Sequence, residues 1–446
     1  HIPTMHVADG GAEQDAELVW ESVLDAAEQA LSSLDDRSQV RGIACASQYS
    51  SIVPVDVEGR PTANMVVWMD KRGMPMRLEK ISGGERIKPS PYQMLRWVQI
   101  HGIPPLDSGA DSLAHMRWIK HGWPEVYERT KTFLEPMDYV GMRMSGRAVT
   151  NRCSGFMFLL ADNRMPEPEY HPTLLKWSGI DREKLPELVP VDEPIGPILP
   201  EVAERLGLSK DTVIFPCLND TQAGGVGASA FAGSHAGISM GTTCVCITHV
   251  DFKKTDIINS LVSMPSPIAN EYFVLAEAGI GGGAIEFFLE RLVFASDRFG
   301  DHGLAEKFAA LERAIEPVEP GSGGVLFLPW LTGSVTPAED GMVRGGFLNI
   351  SLQTTREHLA QAVLEGIAFN LRWVQEGVSR FAKREIDSIK FYGGGALSSS
   401  WSQILADILE VPVHQLKDPE YAVSRGVGLL GFHQLGELAL EDIEAC

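Results

Sequence analysis

The chain has 446 residues, with 38 basic against 59 acidic side chains and a net charge of −21. A face for nucleic acid or an anionic membrane needs a basic surplus that this composition lacks, so those partners are excluded and an acidic, solvated surface is expected. Hydrophobic residues at 44% and charged ones at 22% fit an ordered globular chain, too long for a single core and long enough for two domains.

Six cysteines, Cys45, Cys153, Cys217, Cys244, Cys246 and Cys446, show no paired spacing and read as reduced, packed residues of a cytoplasmic protein. No apolar run approaches the roughly 20 residues of a membrane span, and no signal peptide is visible. In chain order, Leu18, Val19, Val23, Leu24, Ala27 and Leu31 follow a helical period. Strands are expected over 40–47, 52–57 and 64–68. Polar clusters follow two of them: Gln48, Tyr49 and Ser50, then Asp70 and Arg72. Because α/β sheets grip small ligands at strand ends, these five are candidate contacts; for Asp70 and Arg72 the plainer alternative is a surface ion pair. Residues 89–148 are expected to be helical, with Trp97, Trp118, Trp123, Tyr127, Tyr139 and Met142 packing as core. An apolar segment over 156–160 and a Pro-rich connection over 166–200 lead to a strand at 213–215.

The stretch 216–248 concentrates chemistry. Asn219-Asp220 opens a small-residue helix through Gly224, Gly225 and Gly227, and an apolar strand is then broken by Gly241-Thr242-Thr243. Asp220, at a helix N-terminus, is favoured in its ionised form and is a candidate site residue, with an N-cap as the alternative. The Gly-Thr-Thr turn suits phosphate oxygens, with an ordinary hairpin as the alternative. Gly279 and Gly281 to Gly283 precede a helix over 284–292, whose first amides would point at whatever occupies its start. A strand over 326–330 and a long amphipathic helix over 358–381 follow. The last signal is a strand over 389–392 running into Gly393-Gly394-Gly395-Ala396 and a helix over 399–409. This is a ligand cradle, with tight strand–helix packing as the alternative. Taken together, these signals place a nucleotide on the second domain, an acceptor on the first, and Asp220 between them.

Over nearly its whole length the chain resembles the FGGY family of carbohydrate kinases. Gly345 to Glu365 follow the family's C-terminal signature, with Asn349 where glycine is usual; asparagine is the next best residue for a left-handed turn. Ser112 to Trp118 resemble an earlier signature, keeping the tryptophan but with His115 where lysine is expected. The resemblance implies two RNase H-like α/β domains of the actin-like ATPase and sugar kinase superfold with a cleft between them. Residues 1–232 would be the sugar side and 233–446 the ATP side. It also implies ATP-dependent phosphorylation of a sugar or polyol hydroxyl, with Asp220 as general base and indirectly near Mg²⁺. Gly241, Thr242 and Thr243 match the hairpin that meets the ATP phosphates. Gly282 and Glu286 match the helix start beside the nucleotide, and Gly394, Gly395, Ala396 and Ser399 the adenosine side. Gln48, Tyr49, Ser50, Asp70 and Arg72 fall where the family binds its sugar. Tyr49-Ser50 replaces the Arg-Glu of glycerol kinases and the Met-His of xylulokinases, and Arg152 replaces a substrate tyrosine of glycerol kinases, which disfavours glycerol. The run from Trp68 to Arg72 looks closest to xylulokinase-like members, so a xylulose-like ketose is favoured, and a homodimer is the family's habit. The family's opening hairpin, with its Asp-x-Gly-Thr turn, is not in this sequence and is expected before His1, since its loss would bare strand and core. Two alternatives stand beside this reading: a catalytically impaired sugar-sensing protein, and an ATPase or chaperone of the same superfold, against which the 345–365 signature counts.

Overall fold

The computed structural model describes residues 2–231, 233–298, 300–301 and 306–445. Ala232, the expected end of the first domain, and Cys446 lie outside the described residues. The chain forms two compact units. The first comprises His1–Ala223, Met264–Ala269 and Val427–Ala439, the second Gly224–Ser263, Asn270–Gly426 and Leu440–Cys446.

In the first unit, Asp15 caps the helix Ala16–Leu31, its carboxylate accepting from the amides of Glu17 and Leu18 at 2.9 and 3.1 Å. That helix buries Ala16, Trp20 and Leu24 against Met137, Tyr139 and Ile214. The tract 89–148 is not continuously helical. Prolines at 91, 124 and 136 each start a new helix, Pro91–Ile100, Pro124–Arg129 and Pro136–Ser145, where a fixed φ and a missing N–H cost nothing. Between the last two, Thr132–Leu134 is a strand antiparallel to Val53–Val55. The expected strand over 40–47 is two short ones, Gly42–Ile43 and Ala46–Ser47. Ala46–Ser47 pairs in parallel with Leu218–Asn219, Asn219 standing opposite Ser47. The apolar segment at 156–160 is a 3₁₀ turn, Phe156–Phe158.

The second unit is built on a seven-stranded sheet. Tyr272–Ile280, Thr243–Val250 and His235–Met240 run antiparallel, and Ser388–Tyr392 and Val413–Gln415 then continue in parallel with His235–Met240. The helices Arg356–Ala382 and Ser399–Leu409 pack with this sheet around Ile238, Cys246, Leu371, Phe391 and Leu405. The small-residue helix Asp220–Gly227 has a steric reason: a Cβ on Gly227 would lie 1.9 Å from the Ala422 carbonyl oxygen. Asn349 has φ +59° and its side-chain amide donates to the Gly324 carbonyl at 2.9 Å, so it takes the left-handed turn in place of glycine. The described cysteines are all free, and among the described residues no helix is long and apolar enough to cross a membrane.

Candidate active site

In the second unit the hairpin turn, the glycine-led helix and the triple-glycine loop converge on one cavity of about 660 Å³. Gly241, Thr242, Gly282, Glu286, Gly394, Gly395 and Ser399 all line it. Thr243 and Ala396 do not: Thr243 is already in the strand and Ala396 is buried beneath the loop. The glycines divide by role. A Cβ on Gly282 would meet the Gly241 carbonyl oxygen at 2.5 Å, and one on Gly395 the Met240 side chain at 2.5 Å, so these allow backbone and side chain to close up. A Cβ on Gly394 meets nothing within 4 Å and one on Gly241 nothing nearer than 4.0 Å, so at these two positions the absent side chain leaves space for a ligand. The expectation that the first amides of a helix over 284–292 point at a ligand needs correcting: the helix starts at Gly282, and the Ala284 amide donates to the Gly281 carbonyl at 2.9 Å. Gly281, Gly282 and Gly283 donate to the carbonyls of Thr242, Gly241 and Thr242 at 2.9–3.1 Å, which ties the hairpin turn to the helix start.

The rest of the lining escaped the sequence reading. Phe308 and Leu311, from the helix Lys307–Ile315, join Ile285, Leu364, Leu397 and Trp401 to make an apolar slot. Phe308 and Leu397 are 55% and 66% exposed, an unusual state for large apolar groups unless something covers them. No Lys, Arg or His stands among the described lining residues; the charged ones are Glu286 and Glu312. Among the described residues no group of three or more His, Cys, Asp and Glu side chains is placed to hold a metal ion.

In the first unit, Gln48 and Asp220 each follow the last residue of one of two paired parallel strands, so the 48–50 cluster and Asp220 leave the same sheet end. Asp220 is not the cap of its helix. The side chain of Asn219 does that work, its Oδ1 accepting from the Gln222 amide at 2.9 Å, while the Asp220 carboxylate receives the Thr221 hydroxyl at 3.2 Å. Burial raises the Asp220 pKa above the ordinary aspartate value, against lowering contacts from Thr221. Ser50 is buried at φ +59°, and Tyr49 packs against the adjoining core. The Arg152 guanidinium is occupied by the carbonyls of Met165 and Pro166.

Asp70 and Arg72 are neither a surface pair nor open to a ligand at the carboxylate. Asp70 is wholly buried, accepting from the Ala12 amide at 2.9 Å, from the Arg72 amide at 2.8 Å and from the Arg72 guanidinium at 2.8 and 2.6 Å. The same guanidinium reaches Glu13 at 2.8 Å and lies 3.8 Å from the Trp118 ring centroid. His115, in the place of the expected lysine, contacts the Asp70 carbonyl at 3.1 Å through Nε2. Arg72 does border a separate first-unit cavity of about 610 Å³ with Arg77, Lys80, Trp118 and Trp123. The notable feature of the 68–72 run is therefore a buried brace.

A two-unit mixed α/β chain with a glycine-lined cavity and an acid at a strand end has the architecture of the actin-like ATPase and sugar kinase superfold. The chain belongs to the FGGY family of carbohydrate kinases: residues 1–227 match the family's N-terminal domain and residues 236–435 its C-terminal domain. It is similar to the xylulose kinase of Bacillus subtilis (strain 168), 25% identical over 451 residues spanning 100% of this chain and 84% of that protein. It is also similar to the gluconokinase of the same organism, 23% identical over 96% of this chain and 80% of that one. The crystal structure of ligand-bound xylulose kinase from Lactobacillus acidophilus superimposes with a TM-score of 0.82 at 22% identity, covering 100% of this chain and 85% of that one. The protein is thus an ATP-dependent sugar kinase.

Proposed function

We propose that this kinase transfers the γ-phosphoryl group of ATP to a hydroxyl of a xylulose-like ketose, with Asp220 as general base. The observation that carries the reading is the division of labour at residues 219 and 220. Asn219 takes the capping bond, so the Asp220 carboxylate is left for a proton at the strand end that also delivers Gln48, Tyr49 and Ser50. A sugar hydroxyl is a poor nucleophile; its proton passes to Asp220 as its oxygen bonds to the γ-phosphorus and the bond to the β-phosphate oxygen breaks, releasing ADP. A pKa raised by burial suits a carboxylate to that task at neutral pH.

Gly241 and Thr242 would take the phosphate side of the nucleotide beside Gly282, with Gly394, Gly395 and Ser399 on the adenosine side and Thr243 holding the turn in the sheet. Phe308 offers a flat face and Leu397 aliphatic cover for the base, and Glu286 an acceptor for ribose hydroxyls. Mg²⁺ would arrive with ATP as the MgATP substrate and would supply positive charge to the transferring phosphoryl group. Gln48, Tyr49 and Ser50 are the proposed acceptor contacts. The preference for a ketose rests on similarity to xylulose kinases and on the 68–72 run.

The test is ATP-dependent ADP release by the intact protein against xylulose, other ketoses, pentitols, gluconate and glycerol. Turnover highest with xylulose or a related ketose is the expected result. Turnover confined to gluconate or glycerol overturns the acceptor assignment, and sugar binding without ADP release overturns the catalytic one.

A further inference from the structure

Glu135 is a fully buried carboxylate, at 0% exposure, that the chemistry above does not use. It stands just before the helix Pro136–Ser145 yet makes no side-chain capping bond to it. Its carboxylate turns instead toward two other segments. One oxygen accepts from the Ser51 amide at 3.0 Å, and the other bonds the Ser112 hydroxyl, at the start of the helix Ser112–Gly122. Ser51 is the junction: its own hydroxyl accepts from the Trp68 amide at 3.1 Å. A single carboxylate therefore fixes the residue that ties the 48–50 cluster to the run that begins at Trp68. The residue before it, Ser50, sits at φ +59°, a conformation that costs a non-glycine residue on the order of 1 kcal/mol and persists only where its neighbours hold it.

We infer that Glu135 is a positioning residue for sugar binding, holding the strained turn at Ser50 in the shape that meets the acceptor hydroxyls. The inference rests on the assignment of 48–50 to the acceptor. Burial pushes the Glu135 carboxyl well above the usual carboxylate range, against the lowering bonds from Ser112 and Ser51. Glutamine keeps the side chain's shape and its two contacts: its carbonyl can accept from the Ser51 amide and its amide can donate to the Ser112 oxygen. Alanine leaves a buried N–H without a partner.

The experiment compares wild type, Glu135→Gln, Glu135→Ala and Ser112→Ala in two readouts. In steady-state kinetics with the best acceptor of the panel, Glu135→Ala should raise the acceptor KM by about ten-fold, the size expected for one lost buried hydrogen bond. The ATP KM should stay within about two-fold, and Glu135→Gln should restore most of the loss. Hydrogen–deuterium exchange across residues 46–56, read without substrate, should quicken at 48–51 in Glu135→Ala, less in Ser112→Ala and least in Glu135→Gln. If both KM values move together, or if exchange at 48–51 is unchanged in every variant that folds, Glu135 is ordinary core and the inference fails. Should wild type turn over no sugar, the kinase reading fails on its own evidence and the exchange data still decide whether Glu135 holds the turn.

Discussion

Arg72 shows how one side chain can look functional and prove structural. Its guanidinium satisfies Asp70 and Glu13, both buried, and stacks on Trp118. Removing one partner of such a cluster leaves uncompensated charge in low dielectric, which costs far more than a surface pair is worth. Arg72→Ala is therefore expected to lower stability by about 3–5 kcal/mol in urea unfolding of the first unit; a change under about 1 kcal/mol would show that water reaches the cluster. Composition could not reveal this, because Asp-x-Arg reads the same on a surface and in a core. What decides it is Ala12, whose amide bonds Asp70 across 58 residues of sequence. Glu135 was hidden for a related reason: a lone acid between Leu134 and Pro136 gives no hint of Ser51 and Ser112.

Among the elements, those legible in the sequence are the ones whose pattern is local. The helix Ser399–Leu409 and the long helix Arg356–Ala382 carry helical periodicity, and the Gly-Thr turn and triple glycine announce themselves by residue type. Thr132–Leu134 was swallowed by its helical surroundings because three residues cannot display a period, and only pairing with Val53–Val55 makes them a strand. The helix Lys307–Ile315 went unread although it supplies Phe308 and Leu311 to the cavity. Within the triple-glycine loop the three positions are not equivalent. Gly393 has φ +84° and a Cβ there would lie 2.7 Å from the Met240 carbonyl oxygen, so its substitution disturbs the fold. Gly394 faces open space. Gly394→Val is expected to leave the melting temperature within about a degree while raising the ATP KM by about ten-fold, a loss of about 1.4 kcal/mol. An unchanged ATP KM would mean that the nucleotide does not approach this loop.

For the whole molecule, the family and the two-domain fold were readable from signature stretches, whereas the acceptor's identity was not, because Tyr49-Ser50 departs from both better-known patterns. What unites the account is a single acid whose burial and freedom from capping duty suit it to take a proton. A carboxylate base works ionised, so activity is present above its pKa and lost as pH falls through it. With the Asp220 pKa raised by burial, the acid limb of kcat/KM should centre above the model-peptide value of about 3.9. The most direct test is ATP-dependent ADP release by Asp220→Asn beside wild type, with nucleotide binding measured on both. In Asp220→Asn kcat is expected to fall by about 10²-fold or more, the acid limb to disappear, and ATP to bind as before. Activity within a few-fold of wild type would contradict this, and the base would have to be sought elsewhere.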